Sequence, residues 1–417
     1  MRTTWCTTVR PELNQRATLL PRALTTKQLS FLLAAIISVM PFAIDAYLPA
    51  LATMSVDLGY GLHQLELTIS SFFIGFALGN LIGGPLSDHY GRRAMGMLGL
   101  SVFTLASLAM MLTESIQGLL ALRFIQAFGG GITFVIVPAI VRDRFERQEA
   151  AKVMTTVMFI FMAAPLVAPI VGSVLLALWG WRSIFGFMAL YAAALVFLAK
   201  AYLPQSRDKS VALPAFSINK TLKDYGTIFR QKEARPYFVT SVCTSAIFIS
   251  YLTQAAFLLS EYLGVTAAEF PMVFACFVVC LMLANRTNAF LLRRHDSRRI
   301  FGWGVRVTMI STSLLLMAAL FASHGSLWVI VGVLIVISSL GLINGNAQTN
   351  FLHFFEHQSG TASSVMKATE TTFGALSGAL VSALYNGTAI PLAGVMFSAS
   401  LIAFLYVRKS VIPASDI

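Results

Sequence analysis

The chain has 417 residues, of which 57% are hydrophobic and only 12% are charged, and its mean hydropathy is +0.76. A soluble domain carries about twice that share of charge, so the composition excludes an ordinary soluble protein and predicts a chain that lies in lipid. The net charge of +12 does not indicate a nucleic-acid partner, because the basic residues fall in short segments between apolar runs.

Apolar runs that can cross a bilayer follow one another along the chain. A membrane helix needs roughly 20 apolar residues, and twelve runs come close to that length. No small-residue cleavage site precedes Leu29, so we predict that the first run is a retained helix and not a removed signal. The predicted spans are 29–54, 65–86, 94–113, 116–140, 151–177, 182–203, 236–260, 267–291, 300–322, 326–351, 360–385 and 388–408.

Charge in the connecting loops predicts the orientation of these spans. Arginines such as Arg92 and Arg93 lie in alternate loops, whereas the opposite loops hold acidic residues, among them Asp57 and Glu66. Because basic loops stay on the cytoplasmic side, both termini are expected to be cytoplasmic.

A long polar stretch divides the spans into two groups of six. A faint repeat joins the halves, since LSDHYGRRAMG from Leu86 aligns with LRRHDSRRIFG from Leu292, at an offset of 206 residues. Parallel repeats of this kind build two bundles that face each other across a central cavity. The sequence therefore predicts an all-α membrane protein with two six-helix bundles. The expected segments are a tail over 1–28, a bundle over 29–203, a linker over 204–235, a bundle over 236–408 and a tail over 409–417.

The loop between spans 2 and 3 has the sequence GPLSDHYGRR, residues 84–93. Gly84 and Gly91 permit a sharp turn, and Asp88 can cap the next helix or accept bonds from the N-terminal amides of a neighbour. Arg92 and Arg93 can anchor at lipid headgroups and pair with an acid. A loop that serves only to set the orientation is the alternative.

This loop resembles the loop 2–3 signature of the major facilitator superfamily, with His89 where the family usually has arginine. RFIQAFGGG in span 4 resembles the family's Arg-x-x-Gln-Gly element. APLVAPIVGS in span 5 resembles the motif of proton-driven exporters, which we assign to Pro165, Pro169 and Gly172, although alanine or serine replaces several of its glycines.

Three further stretches, IDAYLPAL in span 1, EYLGVTAAEF after span 7 and HQSGTASSVM at span 11, resemble the Bcr/CflA (bicyclomycin/chloramphenicol resistance) subgroup of drug:proton antiporters. The resemblance runs over most of the chain and implies the major facilitator fold. It also implies that the loop 2–3 is a cytoplasmic latch between the halves. Its gating residues would be Gly84, Asp88, Gly91, Arg92 and Arg93.

Two charged residues lie deep inside the predicted spans. Asp45 is about 13 Å and Arg123 about 10 Å below the same face, at 1.5 Å per residue. Opposite charges at matching depth can pair, and a carboxyl balanced between burial and a nearby arginine can take up a proton when its partner moves. We therefore predict that Asp45 and Arg123 form the proton-coupling pair. The alternatives are that Asp45 adjusts the helix before Pro49 and that Arg123 reaches the headgroups.

Further polar residues are candidates for a substrate cavity. Lys367 and Glu370 are three apart on one helix, so they either pair locally or Glu370 faces the cavity and attracts cations. Asn346 either lines the cavity or bonds the next helix. The predicted cavity is apolar with few polar contacts, and its candidate residues are Tyr47, Gln126, Tyr251, Gln254, Asn346 and Glu370.

Nothing in the sequence indicates an enzyme, a metal site or a cofactor. There is no Gly-rich phosphate loop, so ATP is not the expected energy source. The leading prediction is a bacterial inner-membrane antiporter that exports lipophilic neutral or cationic drugs of a chloramphenicol- or bicyclomycin-like kind, driven by the proton gradient. We expect a monomer in contact with membrane lipid, with protons and a small molecule as its partners. A dedicated exporter of nucleosides, amino acids or sugars is the alternative, and a non-transporting scaffold or sensor is a more distant one.

Overall fold

The ordered elements of the chain are helices. A computed structural model describes residues 24–203, 231–321, 323, 325–355 and 359–410, and it contains no β-strand within them. The predicted tails and the predicted linker lie largely outside the described residues. The α-helices are α1 Thr26–Asp45, α2 Leu51–Leu58, α3 Leu62–Tyr90, α4 Arg92–Met110, α5 Ile116–Arg144, α6 Arg147–Trp179, α7 Arg182–Tyr202, α8 Arg235–Ala256, α9 Phe270–Leu291, α10 Ser297–Phe321, α11 Leu327–Ser339, α12 Asn344–His353, α13 Ser359–Ala383 and α14 Ile390–Ser410.

The helices confirm the prediction of a multi-pass membrane protein. In the described part of the chain, 11 helical segments are long and apolar enough to cross a bilayer. The remaining predicted span, 360–385, coincides with helix α13. The chain is therefore all-α where it is described, and it carries 11 to 12 spans.

The first and tenth spans are interrupted, contrary to the prediction of continuous helices. Helix α1 ends at Asp45, because the Tyr47 N–H donates to the Ile44 carbonyl at 3.2 Å and not to the Ala43 carbonyl four residues back. A short 3₁₀ turn, Leu48–Ala50, then leads into α2. A second 3₁₀ turn, Leu340–Leu342, separates α11 from α12. Asp45 thus lies at a break in its span.

Helices α1 to α7 pack mainly against one another, and so do α8 to α14. The closest approach inside the first group joins α3 and α5. A Cβ atom on Gly75 would lie no more than 3.1 Å from three backbone atoms of Phe124. Glycine lets these two helices touch backbone to backbone, which favours association in lipid.

Contacts between the two groups of helices concentrate at one end of the molecule. We call it the closed end; there α3 begins and α6, α8 and α13 end. The rings of His63 and Tyr385 stack there at 5.2 Å, and the Ser173 hydroxyl donates to the Ala267 carbonyl at 2.7 Å. Between described residues, every hydrogen bond and ring contact that joins the two groups falls at this end.

Candidate functional site

Arg123 is fully buried between α5 and the break in α1. Its Nη1 donates to the Ala43 carbonyl at 2.9 Å and to Gln126 Oε1 at 2.8 Å. The guanidinium also lies over the rings of Tyr47, at 4.3 Å, and Phe72, at 4.6 Å. Arg123 therefore bonds the carbonyl that the broken helix leaves without its usual donor, and the aromatic faces stabilise its charge.

The predicted ion pair between Arg123 and Asp45 is wrong. Among the described residues, no contact of 4.0 Å or less joins their charged atoms. The reason is the orientation of α1 at its break. Arg123 is met by the Ala43 carbonyl and the Tyr47 ring, whereas the side chain of Asp45 lies within electrostatic range of Tyr251 in the second group of helices.

Asp45 lies near Tyr251 of the second group of helices and directly before the residue that touches the motif of span 5. Its side chain is buried, at 5% exposure, and it lies within electrostatic range of the Tyr251 hydroxyl. Helix α6 touches α1 beside it, because a Cβ on Gly172 would lie 2.8 Å or less from three backbone atoms of Ala46. Pro165 and Pro169 lie inside the same helix α6. The structure thus brings Asp45 together with the motif assigned to proton-driven exporters.

Three of the predicted cavity residues are buried close to this region. The Tyr47 hydroxyl bonds Thr68 Oγ1 at 3.0 Å, and Gln126 Nε2 donates to the Ser107 hydroxyl at 2.8 Å. Tyr251 packs its ring on Phe277 at 5.0 Å, and its hydroxyl has no hydrogen-bond partner among the described residues. Tyr251 is therefore the buried side chain of this set with a free hydrogen-bonding group.

Gln254 has a partner that the sequence did not predict. Its Nε2 donates to Glu66 Oε2 at 2.6 Å. The prediction that Glu66 lies in a loop is wrong, because Glu66 is inside α3 and fully buried. Its position within the predicted span 65–86 was the signal that this acid belonged to the membrane interior.

Asn346 and Glu370 occupy helix contacts away from Asp45. Asn346 donates to Asn288 at 2.7 Å and accepts from Ser297 at 3.0 Å, so it joins α12 to α9 and α10, not to the next helix as one alternative had it. Glu370 accepts from Lys367 at 3.1 Å and from Ser241 at 2.6 Å. Of the two alternatives for Glu370, the structure has the local pair.

The loop between α3 and α4 is held within the first group of helices. Arg92 forms an ion pair with Asp88 and donates to Asp143 Oδ2 at 3.1 Å and to Ser87 at 2.5 Å. Arg93 donates to the Lys200 carbonyl. Gly91 has a φ of 93°, which favours glycine, while Gly84 is a helical residue of α3. In the described segments the predicted gating residues make no bond to the second group.

A surface depression of about 730 Å³ lies elsewhere, between the starts of α1 and α6. Its walls come from the first group of helices alone and include none of the predicted site residues. We therefore place the candidate site at the break in α1, where a buried acid, the arginine behind it and the Tyr251 hydroxyl lie in one region.

Sequence and structure comparisons agree with one another. Residues 31–382 match the family model described as Major Facilitator Superfamily. Over 368 residues the chain is 29% identical to the bicyclomycin resistance protein homolog of Haemophilus influenzae, covering 88% of this chain and 91% of that protein. Over 376 residues it is 25% identical to the multidrug resistance protein MdtL of Escherichia coli O139:H28, covering 89% of this chain and 93% of that protein.

Solved transporters share the fold. The xylose transporter XylE from E. coli, in a partially occluded inward-open conformation, superimposes with a TM-score of 0.69 and 12% identity over 94% of this chain and 99% of that one. A mutant form of the nucleoside transporter NupG gives a TM-score of 0.72 and 14% identity, over 91% of this chain and 99% of that one. At such identities the likeness concerns the fold alone.

Proposed function

Because the chain belongs to the major facilitator superfamily, we propose that it exports lipophilic neutral or cationic drugs in exchange for protons. Membership makes it a transporter and not an enzyme, and its relatives named for bicyclomycin and multidrug resistance support drug efflux at the level of the family. The names of these relatives agree with the predicted Bcr/CflA subgroup. The observation that carries proton coupling is Asp45, a buried acid in a membrane span without an ion-pair partner among the described residues.

The proposed architecture is two six-helix bundles, residues 29–203 and 236–408, joined by the linker 204–235. With both termini cytoplasmic in a bacterial inner membrane, the closed end faces outward and the central cavity opens to the cytoplasm. The absence of cross-bundle bonds at the other end, among described residues, supports this state. We propose that the transporter works as a monomer in contact with membrane lipid and that the proton gradient drives it without a cofactor.

Asp45 is the proposed proton carrier. An ionisable group inside a membrane span costs free energy, and such groups therefore mark functional sites. Asp45 lies at the break in α1, directly before Ala46, whose backbone touches Gly172 of α6, so a movement of either helix changes its surroundings. Drug entry from the cytoplasm releases the proton inward, and protonation from outside expels the drug. Arg123 keeps the break in place through Ala43 and Tyr47; it is not the ion-pair partner of Asp45.

Everted membrane vesicles test this coupling. In wild-type vesicles a drug from a panel of lipophilic antibiotics should change the internal pH, and Asp45→Asn should abolish that change while the protein is still made and still binds the drug. Asp57→Asn is the matched control, since Asp57 bonds Trp181 and Arg182 at the closed end and lies outside the candidate site. Drug-dependent proton movement that persists in Asp45→Asn would reject Asp45 as the coupling residue.

A further inference from the structure

Glu66 is a second buried acid, and the proposed mechanism has not used it. It lies in the second turn of α3, inside a membrane-spanning segment. Its exposure is 0%. A buried carboxyl with no donors would be strongly unfavourable there, so its contacts determine in which conformation it can exist.

Both carboxylate oxygens of Glu66 are bonded by α8 and the turn that follows it. Oε2 accepts from Gln254 Nε2 at 2.6 Å, and Oε1 accepts from the Phe257 N–H at 3.3 Å. Gln254 also reaches the Ser382 hydroxyl of α13 at 3.4 Å. One acid of the first group of helices thus bonds α8 and the turn after it, and it is linked to α13 through Gln254.

The helices next to Glu66 touch one another directly at Gly378. One turn further into the membrane, a Cβ on Gly378 of α13 would lie 3.0 Å from the Ser70 hydroxyl and would also contact Thr253 Oγ1. Among the described residues the hydroxyls of Ser70 and Thr253 have no hydrogen-bond partner. The polar contacts between the two groups next to Gly378 therefore come from Glu66, while the Ser173–Ala267 bond joins the groups elsewhere at the closed end.

We propose that Glu66 is a positioning residue for transport, which holds the closed end shut through Gln254 and Phe257. This inference rests on the proposed alternating access. To open this end, α3 must move away from α8 and α13, and both oxygens of Glu66 then lose their donors. The bonds of Glu66 therefore favour the conformation described here over the conformation in which this end is open.

Distances between the two groups of helices test the inference without any substrate. Spin labels are attached to Val56→Cys, on α2, and Ala268→Cys, before α9, in a chain whose native cysteines are replaced by serine. Both positions are exposed, and both lie at the closed end. In Glu66→Gln the side chain keeps one acceptor oxygen, so either the Gln254 amide or the Phe257 N–H faces an NH2 group in place of an acceptor. We expect the ratio of the long-distance to the short-distance population to rise about tenfold, as for a buried donor that loses its acceptor.

Two further variants make the test specific. Glu114→Gln is the matched control, because it makes the same change at the end where α5 begins, on a side chain that is exposed in the loop between α4 and α5, and we expect it to leave the distances unchanged. The double variant Glu66→Gln/Gln254→Glu exchanges amide and carboxylate and should restore the short distance. Unchanged distances in Glu66→Gln, an equal change in Glu114→Gln, or no recovery in the double variant would overturn the inference.

The outcome is separate from that of the drug experiment. If the wild-type protein exports no drug, the proposed function fails, yet the label distances still report whether Glu66 closes this end. If the distances stay the same while drug-dependent proton movement is present, the proposed function stands and the role of Glu66 is rejected.

Discussion

Gly172 provides a sharp test of the packing beside Asp45. A Cβ added there by Gly172→Ala would lie 2.7 Å from the Ala46 carbonyl carbon and 2.8 Å from its Cα. Ordinary contacts between carbon atoms are about 3.5–4.0 Å, so α6 and α1 must separate by about 1 Å. Overpacking of this kind costs about 1–3 kcal/mol. The displaced backbone is that of the residue directly after Asp45, so transport should fall together with stability.

Gly302→Ala is the matched control, because nothing lies within 4 Å of a Cβ built at Gly302. Both substitutions gain up to about 1 kcal/mol of helix propensity, so the difference between the two variants isolates the clash. The assay measures the apparent melting temperature of the purified protein and drug resistance in cells lacking other exporters. We expect Gly172→Ala to melt below Gly302→Ala and to confer less resistance. Equal melting temperatures and equal resistance would refute the reasoning.

Two further substitutions follow from the same region. Arg123→Lys keeps the charge but loses the planar contact with the Tyr47 and Phe72 rings, which is worth about 1–2 kcal/mol when desolvated. Drug export should therefore fall about tenfold at unchanged expression, and export at the wild-type level would contradict this role of Arg123. Tyr251→Phe removes a hydroxyl that bonds nothing in the described structure, so the melting temperature should not fall, whereas a fall of several degrees would show a hydrogen bond that the structure lacks.

The sequence predicted the spans well, because hydropathy is a local property of the chain. Apolar runs of about 20 residues must be helical in lipid, since each backbone group has to bond within its own segment. The loop motif and the exporter motif in turn indicated the superfamily, which the family model confirmed. The breaks at Asp45 and at Leu340–Leu342 were harder to predict. They depend on which carbonyl each N–H selects, and in α1 the released Ala43 carbonyl is bonded by Arg123, which lies 80 residues away in the chain.

The charged residues show the limit of the sequence most clearly. Depth along a helix can be counted from residue numbers, and on that count Asp45 and Arg123 were matched. Whether their charged atoms touch depends instead on how α1 is oriented about its own axis. Packing of α1 against α5 and α6 fixes that orientation. The same holds for Glu66, whose partners are 188 and 191 residues away.

The amino-acid sequence by itself therefore determined that this protein is a helical membrane transporter with acids and an arginine inside its spans. Only the tertiary structure decided that Arg123 bonds a carbonyl and contacts aromatic rings, that Asp45 lies near Tyr251 of the second group of helices, and that Glu66 joins the two groups. The physical reason is that burial of a span is encoded within about 20 neighbouring residues. The partner of a buried charge is chosen by helices that meet only after the chain has folded.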